Sequence, residues 1–244
     1  MLSFALPNAR FSHVRCGDCP IRERAVCAYC DGDEIAQLDA IKSYRDVEAG
    51  RDIMAAGEAF SHVGSIVKGV VKLTKSLPDG RTQMVGLLFP GDFVGHPGRP
   101  SAEFDAAAAT DVTLCLFRRG PFEALVCDTP HLERRLLDMT LSELDGAREW
   151  LLLLGRKTAR ERIASFLMML ARRAAGVGRD GVLAGAVSCE LPLSRGEMAA
   201  YLGLTIETVS RHMTRLRADG VIDFDNARAV QIPDVEALGL ESGD

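Results

Sequence analysis

"SRGEMAAYLGLTIETVSRHMTRLRADGVI", residues 194–222, is the stretch on which the fold turns. Ser194, followed three residues later by Glu197, is a helix-start signal: hydroxyl and carboxylate can satisfy each other's backbone N–H groups. Met198, Ala199 and Leu202 give that helix an inward apolar face, and Gly203 stands where a left-handed residue ends it. Thr205, with Thr208 as its third helical residue, opens a second helix. Val209, Met213 and Leu216, spaced four then three, define its buried side. Ala199, Gly203 and Val209 together have the spacing of a helix-turn-helix: a small residue under the second helix, the turn glycine and the apolar anchor.

Fixing the inward side fixes the outward one. Glu207, Ser210 and Arg211 fall on the free face near the N-terminus of the second helix, where a recognition helix meets base edges in the major groove. Arginine can fork onto O6 and N7 of a guanine, glutamate can accept from a cytosine amino group, and serine can do either. In isolation Glu207 and Arg211 also make an ordinary i, i+4 ion pair worth about 0.3–0.5 kcal/mol. Within a helix-turn-helix, DNA reading is the stronger expectation. Arg215, Arg217 and the basic cluster at 156–162 are expected to contact phosphates, which add affinity without sequence information.

Upstream, the pattern is helical from Pro130 for about forty residues. Leu137, Thr140, Leu144, Ala147, Leu151, Leu154 and Thr158 recur with 3-4-3-4-3-4 spacing, the rhythm of a coiled-coil seam, and none is charged. A parallel homodimer is expected. Earlier still, residues 44–117 read as short strands punctuated by glycine, and "VVKLTK" (70–75) and "QMVGLLF" (83–89) flank the turn signal Pro78-Asp79-Gly80. That pattern favours a small antiparallel barrel or sandwich.

The start is different again. "CGDCPIRERAVCAYC" (16–30) holds four of the seven cysteines. The first residues lack the basic flank of a signal peptide, and apolar runs such as Trp150–Leu154 fall far short of a membrane span. The expected compartment is the reducing cytoplasm, where clustered thiols point to metal or redox chemistry rather than disulfides. A thiol oxidoreductase is disfavoured, since neither C-x-x-C pair sits in a βαβ pattern, so no enzyme activity is expected. A net charge of −5 excludes nothing, because basic residues can gather on one face.

A glycine-punctuated roll, a long seam helix and a C-terminal helix-turn-helix together resemble the CRP/FNR family of bacterial transcription regulators. "IETVSR" (206–211) is similar to the recognition helix of the FNR branch, and the C-x2-C-x7-C arm to its FnrN/FnrL-like, oxygen-sensing subgroup. The resemblance implies an α+β fold. Its parts are an N-terminal arm (1–30), an antiparallel β-roll of the cyclic-nucleotide-binding type (31–130), a dimerisation helix (131–157) and a winged helix-turn-helix (158–244). It also implies a [4Fe–4S] cluster held by Cys16, Cys19, Cys27 and Cys115, with Cys30 as the substitute ligand. The implied partners are palindromic double-stranded DNA with TTGAT-type half-sites, a second copy of the chain, and RNA polymerase.

Strand alternation sets Cys115 opposite Val112, Leu114 and Leu116, with Thr113 and Phe117. A zinc ion on Cys16, Cys19, Cys27 and Cys30 is the alternative, as is a cluster-free DNA binder. Cys127 and Cys189 are expected in packing. No cyclic nucleotide is expected, because in "PGDFVGHPGRPSAEFDAAAA" (90–109) Arg99 is followed by proline where the family's phosphate cradle has a small hydroxyl residue. A haem would need an axial ligand such as His62 or His96.

Overall fold

The computed structural model describes residues 14–178, 181–226 and 228–243, so the first part of the arm lies outside the described residues. The chain divides into two compact units that meet in sequence at Gly146 and Ala147, inside the long helix rather than at either of its ends.

In the first unit the arm, aperiodic in sequence, folds as consecutive turns. A 3-10 turn spans Cys16–Asp18, and the Ala25 N–H donates to the Ile21 carbonyl at 2.8 Å. Ile21, Ala25 and Val26 are buried, so the arm contributes to the core. Helix α1 (Gly32–Ile41) follows, opened by a capping box between Asp31 and Glu34.

Eight strands then build two antiparallel sheets. They are β1 (Lys42–Val47), β2 (Asp52–Met54), β3 (His62–Lys68), β4 (Val71–Ser76), β5 (Thr82–Leu88), β6 (Phe93–Val94), β7 (Asp105–Ala108) and β8 (Val112–Arg118). One sheet has the order β1-β8-β3-β6 and the other β2-β7-β4-β5. The hairpin expected around Pro78-Asp79-Gly80 is β4–β5.

Strand β8 is buried on both faces, which is why its sequence is nearly continuous in apolar residues. Val112 and Leu114 pack with Ile66, Val71 and Ala106, whereas Cys115 and Phe117 pack with Cys27, Leu38, Phe122 and Leu132. Thr113 is also buried, and its hydroxyl donates to Asp46 Oδ1 at 2.8 Å. Helix α2 (Arg119–Asp128) closes the roll with Phe122, and carries Cys127 exposed rather than in packing.

Gly64 on β3 fixes the approach of this strand to β8. A Cβ there would lie 2.0 Å from the Cys115 carbonyl oxygen, a contact with backbone that no rotamer can relieve. Gly64→Ala should therefore lower stability by about 1–3 kcal/mol and disturb Cys115. Gly120→Ala in α2, with nothing within 4 Å, should be neutral or stabilising by up to about 1 kcal/mol. Urea unfolding of the two variants checks the contrast.

Helix α3 (Pro130–Arg156) is the long helix, and a break at Lys157 separates it from α4 (Ala159–Ala174). The seam residues Leu137, Thr140, Leu144, Ala147 and Leu151 are exposed, and Leu154 is half-buried. Leu141 and Leu152, which the heptad reading passed over, are 50% and 57% exposed and widen the apolar stripe.

The second unit contains α4, β9 (Val187–Glu190), α5 (Arg195–Leu202), α6 (Ile206–Ala218), β10 (Asp223–Phe224), β11 (Ala229–Ile232) and α7 (Val235–Ser242). The three strands form one antiparallel sheet, β10-β11-β9, the wing beside the helix-turn-helix. Its core gathers Ile163, Phe166, Leu167, Met198, Leu202, Met213 and Leu216, with Trp150 stacked on Tyr201 at 4.0 Å. Cys189 is buried on β9, as expected.

Candidate functional site

Two sites emerge, one in each unit. In the first, the turns of the arm close over the sheet face that carries Cys115. Cys16, Cys19, Cys27 and Cys115 line one pocket with Ile21, Ala25, Val26, Leu38, Tyr44, Ser65 and Phe117. Cys30, though buried, is not on its wall. The strand register explains the floor: Cys115 on β8 pairs with Tyr44 on β1 and with Ser65 on β3, so three polar side chains stand in one row.

The pocket is walled largely by apolar side chains, and burial controls its thiols. Burial, then the neighbouring Asp39, pushes Cys16 up to about 12, and burial raises Cys27. Cys115 is raised further by burial and by the nearby Cys16, Cys19 and Cys27. Burial and the Glu34 carboxylate push Cys30 up to about 12. Without a cation Cys16, Cys27 and Cys115 therefore hold their protons more tightly than free thiols, and a metal would have to displace those protons.

Cationic groups ring the pocket. Lys42 Nζ lies 3.6 Å from Cys16 Sγ and pairs with Asp39, whose carboxylate also accepts from the Cys16 N–H at 2.8 Å. Arg22 donates to the carbonyls of Cys27 and Cys30. These contacts, with Lys42 and Cys16 as donors, hold the Asp39 carboxyl down to about 2.

The arm is also clipped to the start of α3. Arg135 donates to the carbonyls of Ala25 at 3.1 Å and Arg24 at 2.5 Å, and its guanidinium lies 5.3 Å from the Tyr29 ring centre. Leu132, fully buried, packs in the same cluster as Ile21, Val26 and Cys27.

Among the described residues, no three thiols lie within 4.8 Å of one another, whereas the ligand-type atoms of Asp31, Glu34 and His131 do. Glu34 there completes the α1 capping box and also meets His131 Nδ1 at 3.0 Å. A second cavity, in the roll, is lined by Met54, Leu73, Leu88, Phe93 and Phe104 with the carboxylates of Glu103 and Glu143. Arg99, the only arginine of the 90–109 stretch, pairs with Glu103 at 3.4 Å.

In the second unit the helix-turn-helix has the local geometry its sequence demands. Ser194 and Glu197 form the capping box, Gly203 is left-handed at φ 62°, and the Thr205 hydroxyl accepts from the Thr208 N–H at 3.2 Å. Val209, Met213 and Leu216 are buried, while Glu207, Ser210 and Arg211 are exposed on the opposite side of α6. Arg211 reaches Thr208 Oγ1 at 3.4 Å and makes no ion pair with Glu207. Hydrogen bonds from its own backbone and from Thr205 hold the Glu207 carboxyl below its ordinary value, so it is ionised at neutral pH.

The two units match two family models: a cyclic nucleotide-binding domain over residues 44–128 and a Crp-like helix-turn-helix domain over 161–240. The transcriptional activator protein FnrL of Cereibacter sphaeroides is 54% identical over 94% of this chain and 92% of its own length. The nitrogen fixation regulation protein FixK of Bradyrhizobium diazoefficiens is 37% identical over 88% and 87%. The chain belongs to the CRP/FNR family of transcription regulators. The solved structure of FixK2 from Bradyrhizobium japonicum superposes on this regulator with a TM-score of 0.72 at 34% identity, covering 82% of this chain and 96% of that one.

The regulator's basic residues need one correction. Arg160 is bound to Glu241 and Asp219, and Arg162 donates to the carbonyls of Lys157, Leu202 and Leu154. Lys157 meets Ser165 Oγ at 2.9 Å. Most of the 156–162 cluster thus holds the domain together instead of facing phosphate. Arg217 pairs with Asp223 at 2.9 Å beside Phe224 of the wing. Arg217 is exposed but paired, and Arg156, Arg211 and Arg215 are the exposed cations of this set that make no ion pair among the described residues. Ile206, 52% exposed at the first position of α6, is an apolar group on the reading face that periodicity alone does not flag.

Proposed function

We propose that this regulator is an oxygen-responsive transcription activator that works in the cytoplasm as a homodimer. It would hold a [4Fe–4S] cluster on Cys16, Cys19, Cys27 and Cys115 and bind palindromic DNA with TTGAT-type half-sites. The observation that carries the reading is that Cys115, from β8, shares one buried pocket with three arm cysteines while Cys30 does not.

The chemistry of the donor set fits: four thiols on a buried, largely apolar wall are what an iron–sulfur cluster takes. Cys30 lies off the wall that Cys16, Cys19 and Cys27 share with Cys115, which favours this donor set over zinc on Cys16, Cys19, Cys27 and Cys30. When bound, such a cluster supplies a redox-active, oxygen-labile group.

The chain's own residues supply the coupling. The ligand turns of the arm pack against Leu132 and are held by Arg135, so the arm's conformation bears on the first turns of α3. The same helix carries the exposed seam, where a second copy would cover Leu137, Leu144 and Leu151. Joining two recognition helices raises affinity for a palindrome by roughly 10²–10⁴ without any new base contact.

In the roll cavity, Glu103 and Glu143 are poorly suited to a phosphate, and Arg99 is already paired, which supports a regulator without cyclic nucleotide. RNA polymerase is the partner an activator requires.

Anaerobic purification tests the reading. The protein should be brown, with sulfide and iron in near-equal amounts, and should shift a palindromic probe until air is admitted. Equal binding before and after air, or bound zinc without sulfide, would sink it.

A further inference from the structure

Ser65 is a polar residue on the wall of the thiol pocket that the ligand set leaves without a partner. It is 2% exposed, and its Oγ has no hydrogen-bond partner. A buried hydroxyl without a partner is costly, and an alanine at the same place in the strand would avoid that cost. Strand register aims it: Ser65 pairs with Cys115, on the same face, in the row that also holds Tyr44. Apart from the Tyr44 phenol, the side-chain acceptors on the pocket wall are sulfur atoms.

We propose that Ser65 is a positioning residue whose O–H donates a hydrogen bond to a sulfur of the group bound by Cys16, Cys19, Cys27 and Cys115, and so sets that group's reduction potential and its lifetime in air. The inference rests on the cluster reading above. Hydrogen bonds to cluster sulfurs favour the electron-richer state and raise the potential. Removing the bond lowers the potential and makes the cluster easier to oxidise.

The test compares Ser65→Ala, Ser65→Thr and Ser65→Val, purified anaerobically. Threonine and valine have one shape and differ only in the hydroxyl, so packing cannot imitate the effect. All three variants should carry wild-type iron and sulfide. The alanine and valine variants should have a lower midpoint potential and lose visible absorbance in air roughly threefold to tenfold faster, the equilibrium equivalent of one hydrogen bond. The threonine variant should match the wild type in both.

A valine variant that loads no cluster while the threonine variant loads fully also supports the assignment. Alanine and valine variants that behave as wild type overturn it, as does a threonine variant that behaves like valine. Failure of all three to load would make Ser65 a packing residue and overturn it too. A wild-type protein without the visible absorption removes the cluster reading itself, a result distinct from any of these.

Discussion

Cys115→Ala should yield a folded protein without the visible absorption of the wild type, and its affinity for the palindrome should fall by roughly 10²–10⁴, the gain that coupling two half-site readers provides. Cys30→Ala should change neither property. The contrast follows from where the two thiols point. Cys115 stands on the sheet face that the arm covers, in register with Tyr44 and Ser65, and lines the pocket with Cys16, Cys19 and Cys27. Cys30 is buried off that wall, near the Glu34 carboxylate, and its carbonyl is taken by Arg22 at 2.7 Å. Truncating a buried thiol removes one sulfur, so Cys115→Ala leaves the fold intact at a cost of about 1 kcal/mol, near the low end for core truncations. Metal analysis, the visible spectrum and a gel shift measure the pair. Retention of metal and air-sensitive binding by Cys115→Ala would return the site to the arm cysteines alone.

Local signals carried much of this architecture. Ser194 with Glu197, Gly203, and the Val209–Met213–Leu216 stripe are all read within one or two turns, and the structure realises each of them. The β4–β5 hairpin is local in the same way. Helix α1 was also within reach, since Asp31 and Glu34 spell a capping box ahead of Ile35 and Leu38.

What sequence did not show are pairings whose partners lie far apart. Arg135 meets carbonyls 110 and 111 residues earlier, and backbone acceptors leave no mark in the sequence. Arg160 looked like a phosphate ligand because its acidic partners, Asp219 and Glu241, lie 59 and 81 residues away. The pocket falls between these cases. Alternation along β8 sets the face of Cys115, but only the tertiary fold brings the arm's turns over that face and leaves Cys30 outside.

Arg211→Ala should cost about 1–3 kcal/mol per half-site, and about 2–6 kcal/mol for a dimer on a full palindrome, with most of the loss at one base pair of each half. The side chain is exposed on the outward face of α6, and its contact to Thr208 at 3.4 Å is long enough to give way to a base edge. Glu207, ionised and unpaired with Arg211, is left to accept from a cytosine amino group. Arg211→Lys should not restore recognition, since a point charge cannot reproduce the two-pronged contact to O6 and N7. Arg215→Ala should behave differently, weakening binding to every sequence alike and reducing the salt dependence by about one ion per protomer. Arg160→Ala should act through neither route, because it frees the paired carboxylates of Asp219 and Glu241 and so lowers the stability of the DNA-binding unit itself. Gel shifts on matched and scrambled probes at two salt concentrations, with thermal unfolding alongside, separate the three classes. If Arg211→Ala lost matched and scrambled binding in equal proportion, Arg211 would be a phosphate contact and base reading would rest on Glu207, Ser210 and the exposed Ile206.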